Sequence, residues 1–164
     1  PLSVSRRKRT KKPRRKCRRC QRVRVHHGLT SPMCASCRHS LLRYRNIESY
    51  LKALVSGARS RSKHKGLVFD LDAEWAIDRF RRNKGLCEAT GIPLEIPKRS
   101  RTKRQKSVLI HSPSIDRINS NLGYLKVNCR IVSLSFNGMK GPYSDDDLFG
   151  LCSAFIEVYK RKRG

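Results

Sequence analysis

Pro113-Ser114-Ile115-Asp116-Arg117-Ile118-Asn119, then Gly123-Tyr124, Asn128-Cys129-Arg130-Ile131-Val132 and Phe136-Asn137-Gly138-Met139-Lys140, is the stretch on which the reading of this chain turns. Ser114 to Ile118 alternates and carries β-branched residues, Asn119 to Gly123 is a cluster of turn formers, and Tyr124 to Val132 is a second β-rich run. Ser133 opens a short helical segment that ends near Gly141-Pro142. Two short strands and a helix are expected, with a carboxylate (Asp116) on the first strand and a carboxamide (Asn137) on the helix. Strand–strand–helix packing would bring both oxygens to one spot. Such an oxygen pair suits a hard divalent cation such as Mg²⁺, which keeps several waters and takes few protein ligands.

With Cys87-Glu88-Ala89-Thr90-Gly91-Ile92-Pro93-Leu94 ahead of it, this stretch resembles the HNH endonuclease family, in the subset common in phages and mobile elements. That subset reads Cys-x-x-Thr-Gly-x-Pro-Phe, Ser-Ile-Asp-Arg-Ile-Asp, Gly-Tyr and Asn-Val-Arg in this order. Gly57-Ala58-Arg59, Lys65-Gly66-Leu67 and the Trp75 segment are similar to its upstream part, so the likeness runs over roughly residues 38–158.

The resemblance implies an α+β fold: a ββα-metal core with flanking helices, beside a small N-terminal zinc ribbon or knuckle and a basic arm. It implies a metal-dependent DNA endonuclease, the phage or intron homing type being one form, with Asp116 and Asn137 on Mg²⁺ or Mn²⁺ and Asn128 orienting the neighbouring strand or the base. The residue after the metal-binding Asp is usually a His that deprotonates water, and here it is Arg117. A guanidinium stays protonated and is a poor base, but it would anchor phosphate and stabilise developing charge. The base is then open: His111 is one candidate and water activated by the metal alone is another, with Tyr124 a candidate orienting group or nucleophile. Lys140 is expected to touch phosphate. The other reading keeps this fold without cleavage: a nucleic-acid-binding structural protein, such as a ribosome-associated RNA binder.

Composition agrees with either reading. With 39 Lys and Arg against 12 Asp and Glu, the 164 residues carry a net charge of +27. A chain so charged repels itself without an anionic partner, and nucleic acid is that partner because phosphate neutralisation releases counterions. DNA is expected first, with RNA or a ribosome as the alternative. No apolar run of about 18 residues is present to span a bilayer, and no membrane partner is expected. The seven Cys favour metal over disulfides and a reducing, intracellular compartment, the cytoplasm of a bacterium or phage host first, an organelle or nucleus second.

Residues 1–16 form the basic arm; basic side chains, Arg6, Arg7, Lys8 and Arg9 among them, fill more than half of positions 1–24, and the first acid is Glu48. Cys17-x-x-Cys20 and Cys34-x-x-Cys37, 13 residues apart, set off a module over 17–38 that can place four thiolates around a structural Zn²⁺. His26, His27 and His39 are rival ligands. Residues 39–84 read as a helical region, with a helix over 39–62 striped by Leu41, Leu42, Tyr44, Ile47, Tyr50, Leu51, Leu54 and Val55, and a second over Ala73–Asn83 capped by Asp72. Residues 85–164 hold the HNH-like unit. Lys98 to Lys106 has six basic residues in nine, with Arg99, Arg101, Lys103 and Arg104 expected to clamp phosphates beside the cleft. Ser144 caps a last helix whose Leu148, Leu151, Cys152, Phe155, Ile156 and Tyr159 are expected to be buried, ahead of a basic tail.

Overall fold

Short polar side chains stand just ahead of four helical stretches, and each one caps. The computed structural model describes residues 14–18, 20, 21, 23–25, 33–97 and 110–164. Asn46 Oδ1 accepts from Ser49 N at 2.9 Å, Asp72 Oδ1 from Trp75 N at 2.7 Å, Ser133 Oγ from Phe136 N at 3.0 Å, and Ser144 Oγ from Asp147 N at 3.1 Å. Each oxygen satisfies a backbone donor that the first helical turn leaves unpaired. After α1 (Ala35–Arg43), these caps start α2 (Ile47–Lys65), α3 (Ala73–Arg82), α4 (Leu134–Lys140) and α5 (Asp145–Arg161). Asn46 therefore splits the expected helix over 39–62 in two, and Leu41 and Leu42 remain exposed.

The fold is α+β, and the chain forms two compact units, Pro1–Leu42 and Arg43–Gly164. In the first, β1 (Arg14–Lys16) pairs antiparallel with β2 (Val23–Val25), and α1 follows. In the second, β3 (Pro113–Arg117) pairs antiparallel with β4 (Cys129–Ser133). One face of this hairpin, with Ile115 directly opposite Ile131, packs on Leu51, Val55 and Ala58 of α2 and Trp75 and Ala76 of α3. α2 and α3, from the helical region expected over 39–84, thus pack into one core with this hairpin. α4 covers the other hairpin face, so both strands are buried on both sides, which suits their nearly continuous burial. Among the described residues no helix is long and apolar enough to cross a membrane.

Two expectations change. The second strand is shorter than Tyr124–Val132, because Tyr124 bonds elsewhere: its N–H donates to Val68 O at 2.9 Å and its carbonyl accepts from Asp70 N at 3.1 Å. The apolar stripe of α5 is not buried beyond Leu148; Leu151, Phe155, Ile156 and Tyr159 are exposed, as α5 packs on α4 near its own first turns and then leaves the body.

Gly123 makes the bridge to Val68 feasible, since a Cβ there would collide with the Val68 carbonyl oxygen. Gly123→Ala is expected to cost about 2 kcal/mol or more through this collision, read as a lower urea midpoint at unchanged slope. A shift of the midpoint within error would show that the loop relaxes freely.

Candidate nucleic-acid site and metal centre

The register of the hairpin sets Arg130 on β4 directly across from Asp116 on β3. Arg130 Nε donates to Asp116 Oδ2 at 2.9 Å, and its Nη1 and Nη2 grip both oxygens of Asp145 at 2.7 and 2.6 Å. The other Asp116 oxygen accepts from Lys140 Nζ at 3.3 Å. Lys140 is 0% exposed and Asp116 2%. The Lys140 ammonium also donates to the carbonyls of Arg117 at 2.9 Å and Ile118 at 3.1 Å, so its three protons have three acceptors. Burial lowers the Arg130 pKa, but the hydrogen bonds to Asp145 and Asp116 outweigh it and leave the group raised. The Arg130 guanidinium holds the Asp145 carboxyl below its usual range.

Lys140 is therefore no phosphate contact: it is sealed in the fold as the counter-ion of Asp116. Asn137 donates from Nδ2 to Ser114 Oγ at 2.8 Å and to Ile115 O at 3.0 Å. A carbonyl only accepts, so the amide orientation is determined, with Oδ1 turned the other way. Both carboxylate oxygens of Asp116 are taken by cations. Asp116 and Asn137 line one cleft, but each Asp116 oxygen already accepts from a cationic side chain, contacts that a divalent cation would have to share or displace.

In front of the hairpin lies a cleft of about 450 Å³. Asp116, Arg117, Tyr124 and Asn137 line it together with Arg43 and Arg61, which the sequence had not singled out. Arg61 Nε donates to Tyr124 Oη at 3.1 Å, and the guanidinium carbons of Arg61 and Arg117 lie 5.7 and 5.1 Å from the centre of the Tyr124 ring. Arg43 lies over the Tyr50 ring at 5.1 Å, and its buried Nε has no hydrogen-bond partner among the described residues. Because Arg130 and Lys140 already neutralise Asp116, the three guanidinium groups give the cleft a net positive charge. The α2 helical period could have indicated Arg61; nothing in the sequence tied Arg43 to this place.

Asn128 and His111 serve elsewhere. Asn128 accepts from Asn119 N and donates to Asn119 O and Gly123 O, all at 3.0 Å, and so pins the loop between the strands. His111 donates through Nδ1 to Pro93 O at 2.8 Å and does not line the cleft. Arg6, Arg7, Lys8, Arg9, Arg99, Arg101, Lys103 and Arg104 lie outside the described residues, as do His26 and His27.

In the N-terminal unit the sulfurs of Cys17, Cys20, Cys34 and Cys37 all lie within 4.8 Å of one another. Cys34 N donates to Cys17 Sγ at 3.3 Å, and Cys34 and Cys37 sit at the start of α1, whose N-terminal dipole favours thiolate. Burial, with three sulfur neighbours, pushes the Cys37 thiol up to about 12. Four soft ligands in a closed set fit a tetrahedral metal, and exposed His39 is not part of it. Cys87, Cys129 and Cys152 stand apart; burial pushes the Cys129 thiol up to about 12.

No family model matches the chain, and no curated protein matches it. A solved structure described as the rare-cutting HNH restriction endonuclease PacI aligns over 90% of this chain and 96% of its own, at 17% identity and a TM-score of 0.44. That degree of likeness by itself decides neither activity nor ligand.

Lys140→Met is expected to destabilise the second unit by about 3–5 kcal/mol, because it leaves a buried carboxylate oxygen uncompensated. Adding Asp116→Leu is expected to recover part of the loss, measured by chemical denaturation. Asp145, with its folded pKa depressed, stabilises above its unfolded value near about 3.9 and ceases to as pH falls through the folded pKa. The acid limb of a stability profile should therefore weaken in Asp145→Asn, and an unchanged limb would contradict the pairing.

Proposed function

We propose that the Arg43–Arg61–Arg117 cleft seats a phosphodiester of nucleic acid, DNA first, and that the chain is an HNH-type endonuclease that hydrolyses it. One observation carries this reading: three guanidinium groups and a tyrosine hydroxyl share a cleft whose carboxylate is already neutralised. Guanidinium forks match phosphate oxygens and remain charged at every working pH. Arg61 and Arg117, both held against Tyr124, clamp the non-bridging oxygens and stabilise the charge that grows as water adds to phosphorus and the P–O ester bond breaks, the water's proton passing through solvent to the departing oxygen, which leaves as the alcohol. Asn137 Oδ1, turned away from its own hydrogen bonds, orients the incoming group. Asn128 holds the loop that carries Tyr124. Asp116 acts through Lys140 and Arg130 as a positioning residue. No step is assigned to a divalent cation, since both Asp116 oxygens already accept from Arg130 and Lys140.

The double engagement of Asp116 favours a second reading, a protein that binds the nucleic-acid backbone in this cleft without cutting it. Incubation with supercoiled plasmid, with and without Mg²⁺ or Mn²⁺, separates the two. Nicking is expected, and Arg117→Ala or Arg61→Ala should lower it about 100-fold or more at unchanged stability. If the protein nicks no more than the Arg117→Ala control while its affinity still falls steeply with salt, the binding reading replaces the nuclease.

We assign Zn²⁺ to Cys17, Cys20, Cys34 and Cys37, in a structural role, since four thiolates close the coordination shell. One zinc per chain is expected on colorimetric release, and Cys17→Ser should lose it. Because thiolates must form before metal binds, acidification should release the zinc. Chelation is expected to unfold the first unit and to leave the melting of the second in place; a joint loss would tie the two units together.

A further inference from the structure

Among the described residues, α5 is an amphipathic helix without a partner for most of its length. Its apolar side chains recur at three- and four-residue steps over half of the helical cylinder. Leu148 is buried, yet Phe149 is 74% exposed, Leu151 68% and Phe155 65%, with Ile156 and Tyr159 also exposed. With aromatic side chains worth about 150–250 Å² each, the bare face of this one helix is on the order of 500 Å². Apolar patches of that size mark an interaction surface. Beside the first turns of α5 runs a groove of about 790 Å³ with apolar walls that include Ile92, Phe136 and Met139, and with Glu88, Asp145 and Asp146 at its polar edge.

We propose that this face pairs with the same face of a second copy of the chain, the two α5 helices running antiparallel about a two-fold axis near Ser153 and Ala154. The charge distribution favours this occupant. α5 begins with Asp145, Asp146 and Asp147 and ends in Lys160, Arg161, Lys162 and Arg163. Antiparallel pairing lays the basic end of each copy on the acidic end of the other, and parallel pairing would stack like on like. The groove fits the same occupant, since Phe155 and Tyr159 of the second copy enter its apolar walls while the following lysine reaches the acidic edge. Glu88 and Asp145 are already paired with Arg79 and Arg130, whereas Asp146 has no ion pair among the described residues. Two such faces together cover about 1,000 Å² or more, the area at which specific interfaces begin. A polyanion gains nothing from an apolar face with an acidic edge, and the chain's own basic segments carry few apolar side chains.

Sedimentation equilibrium of the full chain in high salt, stripped of nucleic acid, tests the proposal. The apparent mass is expected to rise with concentration to twice that of one chain. Phe155→Asp and, separately, Ile156→Asp should each weaken association by about tenfold or more, with circular dichroism and melting unchanged because both positions are exposed. Lys160→Glu should weaken it severalfold, and adding Asp146→Lys to the same chain should restore it. A mass that stays at one chain overturns the proposal, as does a dimer indifferent to Phe155→Asp. Loss of plasmid binding by the Asp variants of a chain that is already monomeric would assign the face to nucleic acid, and would also overturn it.

Discussion

A line of four alternating charges holds the second unit together: Lys140 of α4, Asp116 of β3, Arg130 of β4 and Asp145 of α5. It ties both strands to both C-terminal helices, and its sum is zero. A buried carboxylate is costly unless its oxygens are met; here one meets a guanidinium directly across the hairpin and the other an ammonium from the covering helix. Lys140 does more than neutralise. By donating to the carbonyls of Arg117 and Ile118 it fastens the end of β3, where the chain turns toward Tyr124.

The electrostatic character of the cleft follows from that line. With Asp116 spoken for, no other acid among the described residues lining the cleft balances Arg43, Arg61 and Arg117. The Tyr124 ring lies near two of these cations and its hydroxyl meets one of them, which offsets part of the cost of holding like charges close. Its own position depends on Gly123 lying against Val68 and on the three hydrogen bonds of Asn128. The polar residues of the motif thus divide into those that build a rigid frame and those left free to meet an anion.

Elsewhere the same physics operates with different partners. The four thiols of the first unit lie close enough to share one metal, in a unit with few other buried side chains among those described. α5 is anchored by its capping box and by Asp145, and beyond that it presents apolar surface to solvent. Bringing two chains of net charge +27 together opposes that surface, so a bound polyanion and the pairing of α5 support one another.

Much of this was written in the sequence. Hydrophobic spacing and capping residues determined where α3, α4 and α5 begin, because Asp72, Ser133 and Ser144 act within one turn of themselves. The Cys-x-x-Cys spacing determined each local pair of sulfurs for the same reason of short range, while the fold of the first unit brings the two pairs together. The roles of Asp116 and Lys140 were decided only by tertiary structure. A carboxylate on a strand looks alike whether it faces a metal or an arginine, and the difference lies in hairpin register and in a helix residue 24 positions away. Arg61 entered the cleft through packing of α2 on the hairpin, and Arg43, at the end of α1, through its place over the Tyr50 ring of α2; no local pattern encodes either. The stripe of α5 was legible as amphipathic, but whether it covered the core or stood bare depended on the direction in which the helix leaves the body, a property of the packed fold and not of its own residues.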